Sequence, residues 1–149
     1  VAGMADRTEL LVFGAHTPSQ PPPFGLKAHY LGNFQDEVSL ALLYAAADVF
    51  VAPSLMDNLP NTVLESIACG TPCVAFDVGG MPDLIEHGMN GWLAPPFSAD
   101  ALAQGLEEIL MKWPTSGKSD FRKSCIEKYS NDSVARQYLS VYEGICSAK

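Results

Sequence analysis

The stretch Val49–Asp83, VFVAPSLMDNLPNTVLESIACGTPCVAFDVGGMPD, decides how this chain is read. It parses as strand, loop, helix, tight turn, strand and glycine-containing loop. Val49 to Pro53 is a short apolar run rich in β-formers and ended by proline. A polar loop with Asp57 and Asn58 follows, and Pro60 suits the first helical position, where its absent N–H costs nothing. Leu64, Ile67 and Ala68 then recur at i, i+3 and i+4, one apolar helix face. Gly70 is placed to end that helix, and Cys73 to Phe76 is the next buried strand. A unit of this size joins parallel strands by a helical crossover.

The chemistry gathers at the front of this helix. Free N–H groups around Leu59 to Thr62, with the helix dipole, make a natural anion site. Asp57 lies just before it, and Glu65 lies in the second turn. Long helical side chains lean towards the N-terminus, so Glu65 reaches back to the same mouth. Two carboxylates flanking a phosphate-sized electropositive spot suit a nucleotide diphosphate with hydroxyls at both ends.

These residues carry a family resemblance. The string D-N-L-P-N-T-V-L-E-S-I-A-C-G-T-P-C-V-A, from Asp57 to Ala75, is similar to the donor-binding core of the family 4 (group 1) retaining glycosyltransferases of the GT-B fold. Their mark is an acidic pair with seven residues between, here Asp57 and Glu65. The downstream element is present as Gly79, Gly80, Asp83 and Ile85, then Asn90, Gly91 and Leu93. The resemblance covers Leu10 to about Leu110. One departure is Asp57, where the family usually has glutamate, one methylene longer.

The composition bounds the alternatives. At 149 residues the chain is one domain's worth, and its 48 % apolar content supplies a core. A net charge of −8 argues against broad binding to nucleic acid or anionic membranes. The four cysteines, Cys69, Cys73, Cys125 and Cys146, form no C-x-x-C pair. Cys69 and Cys73 read as small buried hydrophobes, and reduced thiols point to the cytoplasm. Neither a signal peptide nor a transmembrane segment is expected, since no apolar run in the sequence is long enough to span a bilayer. His16, His29 and His87 share no ligand spacing, so no metal is expected.

Along the rest of the chain, Leu10–Phe13 and Ala28–Leu31 read as strands, separated by a proline-rich surface loop, Thr17–Gly25. Asp36 caps a helix running to Ala47 that is apolar nearly all round, which predicts deep packing. Two adjacent glycines, Gly79 and Gly80, permit close approach of a ligand or an ordinary strand-to-helix turn. A short helix runs from Pro82 to about His87, and Trp92–Ala94 is a strand. Ser98 caps a helix whose stripe is Leu102, Leu106, Ile109, Leu110 and Trp113. Pro114–Ser119 reads as a linker, Phe121–Tyr129 as a helix, and Asn131 or Asp132 as the cap of a last helix carrying Val134, Tyr138, Val141, Tyr142 and Ile145. Four or five strands alternating with helices predict an α/β, Rossmann-like, doubly wound parallel sheet, with its ligand site at the carboxyl ends of the strands.

The resemblance adds further expectations. Residues 1–149 form one partial nucleotide-sugar-binding domain, the C-terminal half of a two-domain GT-B enzyme, and the helices at about 119–146 pack against the N-terminal domain or a partner. Glu65 binds the ribose hydroxyls. Asp57 contacts the donor sugar and helps stabilise charge at the departing glycosyl carbon. Asn58, Leu59, Pro60, Asn61 and Thr62 line the anion site, and Leu31 and Gly32 lie near the base. The donor is a UDP- or GDP-sugar, the acceptor a growing surface polysaccharide or glycoconjugate, and no metal or other cofactor is needed. The family's second domain opens with a strand and helix bearing an Arg and a Lys for the diphosphate. Here Leu10–Phe13 matches the family's second strand, and Arg7 stands alone. The expectation is a rearranged sheet, or a gap filled by a partner such as a second copy, with no turnover by the isolated chain. The rival readings are a GT-B nucleotide-sugar epimerase, a non-enzymatic nucleotide-binding or assembly module, and another Rossmann-like domain; against the last, no G-x-G-x-x-G follows any strand.

Overall fold

The structure, a computed structural model, describes residues 5–16, 18–112 and 118–147. After a short 3-10 turn at Ala5–Arg7, the elements are β1 (Glu9–Phe13), β2 (Lys27–Gly32), α1 (Glu37–Ala46), β3 (Phe50–Ala52), α2 (Asn61–Ala68), β4 (Cys73–Phe76), α3 (Met81–Leu84), β5 (Gly91–Ala94), α4 (Ala99–Lys112), α5 (Lys118–Tyr129) and α6 (Asn131–Ser147). Trp113 and most of the expected linker lie outside the described residues, and α5 already begins at Lys118.

Every strand pairing is parallel, as expected, but the strands do not form one sheet. They form a two-stranded sheet, β1-β2, and a three-stranded sheet, β3-β4-β5. β1 and β3 do not pair, and rings meet there instead. Phe13 of β1 and Phe50 of β3 lie 6.2 Å apart at their centroids, and Tyr44 of α1 packs edge-on against both. A hydrogen-bonded ladder needs backbones about 4.8 Å apart, which ring packing between the strands does not provide.

The core is centred on β4. Cys73, Val74, Ala75 and Phe76 are all buried, because β3 and β5 cover both edges and helices cover the faces. A continuous apolar run is what such a strand requires. Val63 and Ile67 of α2, Met81 and Leu84 of α3, Ile85, and Phe121 and Cys125 of α5 complete the cluster. So α5 packs within this chain, whereas α6 buries no residue and leaves Tyr138, Val141, Tyr142 and Ile145 exposed.

Several local expectations change. The helix α1 is capped by Asp36, whose carboxylate accepts the Ser39 N–H at 2.7 Å, as read. It is not deeply packed: Tyr44 alone is buried, while Val38 and Leu42 are 70 % and 66 % exposed. An all-round apolar helix needs neighbours all round, and α1 packs on α2 and, through Tyr44, on Phe13 and Phe50, which leaves its outer face open. Pro60 is the N-cap of α2, one position before the expected first turn. The helix α3 runs Met81–Leu84, earlier and shorter than expected. The N-cap of α6 is Ser130, whose hydroxyl accepts the Ser133 N–H and whose carbonyl accepts that of Val134. Ser98 caps α4, accepting from Ala101 at 3.3 Å.

Candidate functional site

The loop from Pro53 to Pro60 carries the chain off the carboxyl end of β3 to the start of α2. Pro60, as N-cap, has no side-chain oxygen to spend on the first-turn amides. Its carbonyl accepts from Val63 and Leu64 at 3.2 and 3.3 Å. The N–H groups of Asn61 and Thr62 have no acceptor among the described residues, as the first turn of a helix leads one to expect. Asn58, Leu59, Asn61 and Thr62 are exposed, Asp57 is half-buried and Pro60 is buried. The segment expected to carry the amide cluster is therefore largely exposed, with Asp57 immediately before it and Glu65 on the second turn.

The two glycines after β4 hold this loop in place. The Gly80 N–H donates to the Asp57 carbonyl at 3.1 Å. A Cβ at Gly79 would overlap the Asp57 carbonyl, and one at Gly80 would overlap that of Asn58. Gly79 also has φ +53°, a left-handed conformation open to glycine. What approaches the glycine pair is the Asp57–Asn58 backbone of the chain itself. The sequence reading left open a ligand or an ordinary turn, and missed this platform.

At the far end of α2, Gly70 takes φ +82°, and the Gly70 and Thr71 N–H groups return to the carbonyls of Ile67 and Ser66, both at 2.9 Å. This paired closure ends the helix before β4. It also sets Thr71, whose hydroxyl donates to the Tyr44 carbonyl at 2.6 Å. The Tyr44 hydroxyl in turn donates to Glu65 Oε2 at 3.1 Å. Burial, and then the charge of Glu65, push the Tyr44 phenol well above its ordinary range. Tyr44 was not singled out from sequence; the one cue was a polar-tipped ring inside the apolar run L-L-Y-A-A-A.

Leu31 and Gly32 end β2, with Gly32 at φ +69° and its carbonyl accepting the Gly14 N–H at 2.9 Å. They belong to the smaller sheet, and among the described contacts no hydrogen bond or ring contact joins them to the Asp57–Glu65 segment. A cleft between α2, α3 and α5, lined by Leu64, Pro82, Asp83, Phe121, Lys128 and Tyr129, contains none of the expected site residues. Among the described residues no group of His, Cys, Asp and Glu is arranged to hold a metal ion, and no helix is long and apolar enough to cross a membrane. Burial pushes the Cys73 thiol up, in keeping with a small core side chain.

With this geometry in place, comparison with known proteins is decisive about the family. The profile of the glycosyl transferases group 1 matches residues 2–112. This chain belongs to the group 1 glycosyl transferases. An uncharacterized glycosyltransferase of Methanocaldococcus jannaschii is 35 % identical over 119 residues, covering 78 % of this chain and 30 % of its own. The chain spans about a third of the length of the curated relatives it matches. Among solved structures, sucrose-phosphate synthase from Thermosynechococcus elongatus superposes with a TM-score of 0.76 at 26 % identity, over 99 % of this chain and 41 % of that one. HepE of Anabaena, solved with UDP-glucose, gives 0.65 at 24 % identity over 82 % of this chain and 33 % of its own, a likeness of fold. The glycosyl transferase chain thus has the α/β architecture of the GT-B enzymes, parallel strands flanked by helices.

Proposed function

We propose that this chain is the donor-binding part of a retaining glycosyltransferase that moves a sugar from a UDP- or GDP-sugar to an acceptor in a surface polysaccharide or glycoconjugate. The observation that carries this reading is the front of α2. First-turn amides without acceptors lie between Asp57 and Glu65, on a loop braced by Gly80. Family membership supports sugar transfer, and HepE, of like fold, binds UDP-glucose.

In this reading the amides of Asn58, Leu59, Asn61 and Thr62 meet the diphosphate, aided by the helix dipole and the Thr62 hydroxyl. Glu65 accepts from the ribose hydroxyls. Asp57 contacts the donor sugar and stabilises positive charge at the departing glycosyl carbon. Leu31 and Gly32 lie near the base. Catalysis is electrostatic, with the leaving diphosphate and the cation-like sugar both stabilised, and the acceptor attacks from the face the donor leaves. The remaining diphosphate charge is met by cations outside this chain, so no metal enters the reading. The acceptor side belongs to an N-terminal domain, and the isolated chain has no turnover. The exposed stripe of α6 supports contact with that domain or a partner, and the unpaired edges of β1 and β3 support strand addition by another segment or a second copy. Free cysteines suit the cytoplasm.

The test is a titration of the 15N-labelled chain with UDP, GDP and ADP into the millimolar range, beside Glu65→Ala. Shifts clustered at Asn58–Glu65 and lost in the variant are expected, and the responding nucleotide names the base. A folded chain whose site residues stay still with all three nucleotides would refute donor binding by this chain.

A further inference from the structure

Tyr44 and Glu65 are 21 residues apart in sequence, on different helices, yet they share a hydrogen bond of 3.1 Å. Tyr44 is 2 % exposed and is held by contacts with three other segments. Phe13 and Phe50 pack edge-on against its ring at 5.5 and 5.4 Å. Its carbonyl accepts from the Thr71 hydroxyl, and Thr71 is itself fixed by the closure of α2 through Ser66. The ring therefore has no freedom to follow Glu65; Glu65, an exposed flexible side chain on α2, must follow the ring.

A carboxylate offers about four acceptor positions on its two oxygens. Tyr44 occupies one of them, on Oε2. Among the described residues no hydrogen bond to Oε1 is seen. Resting on the donor-site reading above, we infer that Tyr44 is a positioning residue for Glu65. It holds the carboxylate in one rotamer, with Oε1 and the free side of Oε2 presented to the two hydroxyls of a ribose. Holding the acceptor in advance removes the entropic cost of ordering a glutamate on binding. It also links ribose recognition to the α1–α2 contact. The ligand class selected is a ribonucleotide over its 2′-deoxy counterpart, because one of the two acceptor positions of a prepositioned carboxylate is left unpaired when the 2′-hydroxyl is absent.

The experiment uses the whole chain with Tyr44→Phe and Glu65→Gln, each first shown to be folded by its amide spectrum. In the free protein, side-chain couplings of Glu65 are measured. A single rotamer in wild type that averages in Tyr44→Phe is expected; unchanged couplings overturn the positioning role. UDP and 2′-deoxy-UDP are then titrated. Wild type should prefer UDP, and Tyr44→Phe should weaken UDP about fivefold, the scale of one hydrogen bond, and 2′-deoxy-UDP, which keeps its 3′-hydroxyl, by clearly less. A merely structural role of Tyr44 would weaken both nucleotides alike, and that result sinks the inference. Should Glu65→Gln keep the full preference for UDP, Glu65 does not read the ribose and the donor-site assignment itself fails, whatever the couplings show. Absence of UDP binding to wild type likewise refutes the ribose step, while the couplings still decide whether Tyr44 orients Glu65.

Discussion

The two sheets of this chain are built from the same kind of parallel strand, yet they differ in what surrounds them. In the larger sheet, β4 has a partner on each edge and helices over its faces, and all four of its residues are buried. In the smaller sheet no residue of β1 or β2 is buried, and α1 beside it buries Tyr44 alone. Among the described residues of the 13-residue passage from Gly14 to Leu26, no helix covers the strands it joins. The lesson is that a parallel strand is stabilised by neighbours on two faces and two edges. The candidate site draws Asp57 and Glu65 from the well-covered half, and its tie to the other half runs through Tyr44.

The comparison breaks most visibly at the centre of the larger half. Ile67 is fully buried between α2 and the core, so Ile67→Ala should cost about 3 kcal/mol by urea unfolding. Leu42→Ala, on the exposed face of α1, should change stability by no more than about 0.5 kcal/mol. Equal costs would mean that α1 is covered in solution.

The next largest effect belongs to the loop platform. Gly80→Ala places a Cβ into the Asn58 carbonyl, which is backbone and cannot rotate away. We expect a loss of about 1–3 kcal/mol, with amide shifts concentrated at Asp57–Thr62. Shifts confined to α3 would show that the loop does not rest on Gly80.

A smaller effect separates the halves through Tyr44. Its phenol is raised, first by burial and then by the charge of Glu65. In the unfolded chain the group ionises at about pH 10, while the native form keeps its proton. The unfolded state therefore sheds protons first. This contribution to stability is complete below about pH 10 and is lost as pH climbs towards the raised native value. Urea unfolding should fall more steeply from about pH 9 to 11 in wild type than in Tyr44→Phe, the other tyrosines being common to both.

Much of the larger half was readable from the sequence, because its signals are local. Pro53, Pro60 and Gly70 punctuate it, and a continuous apolar run marks β4. What was not readable depends on residues far apart. Nothing in the spacing of Phe13, Tyr44 and Phe50 says that three rings stand where β1 and β3 do not pair. The apolar composition of α1 implied burial, but burial needs a surface to pack on. The pair Gly79–Gly80 reads as room for a ligand or as an ordinary turn, whereas the backbone that approaches it is that of Asp57 and Asn58, more than 20 residues earlier. Likewise, Tyr44 reaches Glu65 only because α1 and α2 pack together, and no motif records that.

The weakest lever sits at the outer end of the smaller sheet, and it sharpens the comparison. Glu9 opposes Lys27 in the parallel register, with Nζ 2.9 Å from Oε1, and His29 Nε2 lies 2.8 Å from Oε2. The hydrogen bond from Lys27, followed by that with His29, lowers the Glu9 carboxyl below its ordinary value. A lowered native value means that the link is present above the unfolded value and is lost as pH falls through the native one. Because the pair is solvent-exposed, the effect is small, a few-fold at most in local opening. Amide exchange followed from about pH 5 to 3, corrected for intrinsic rates, should show β1 and β2 loosening in wild type and already loosened in Glu9→Gln, with β4 unmoved. If acid loosens β4 to the same degree in step with β1, the halves unfold as one unit, and the rings between them couple the sheets as firmly as a ladder would.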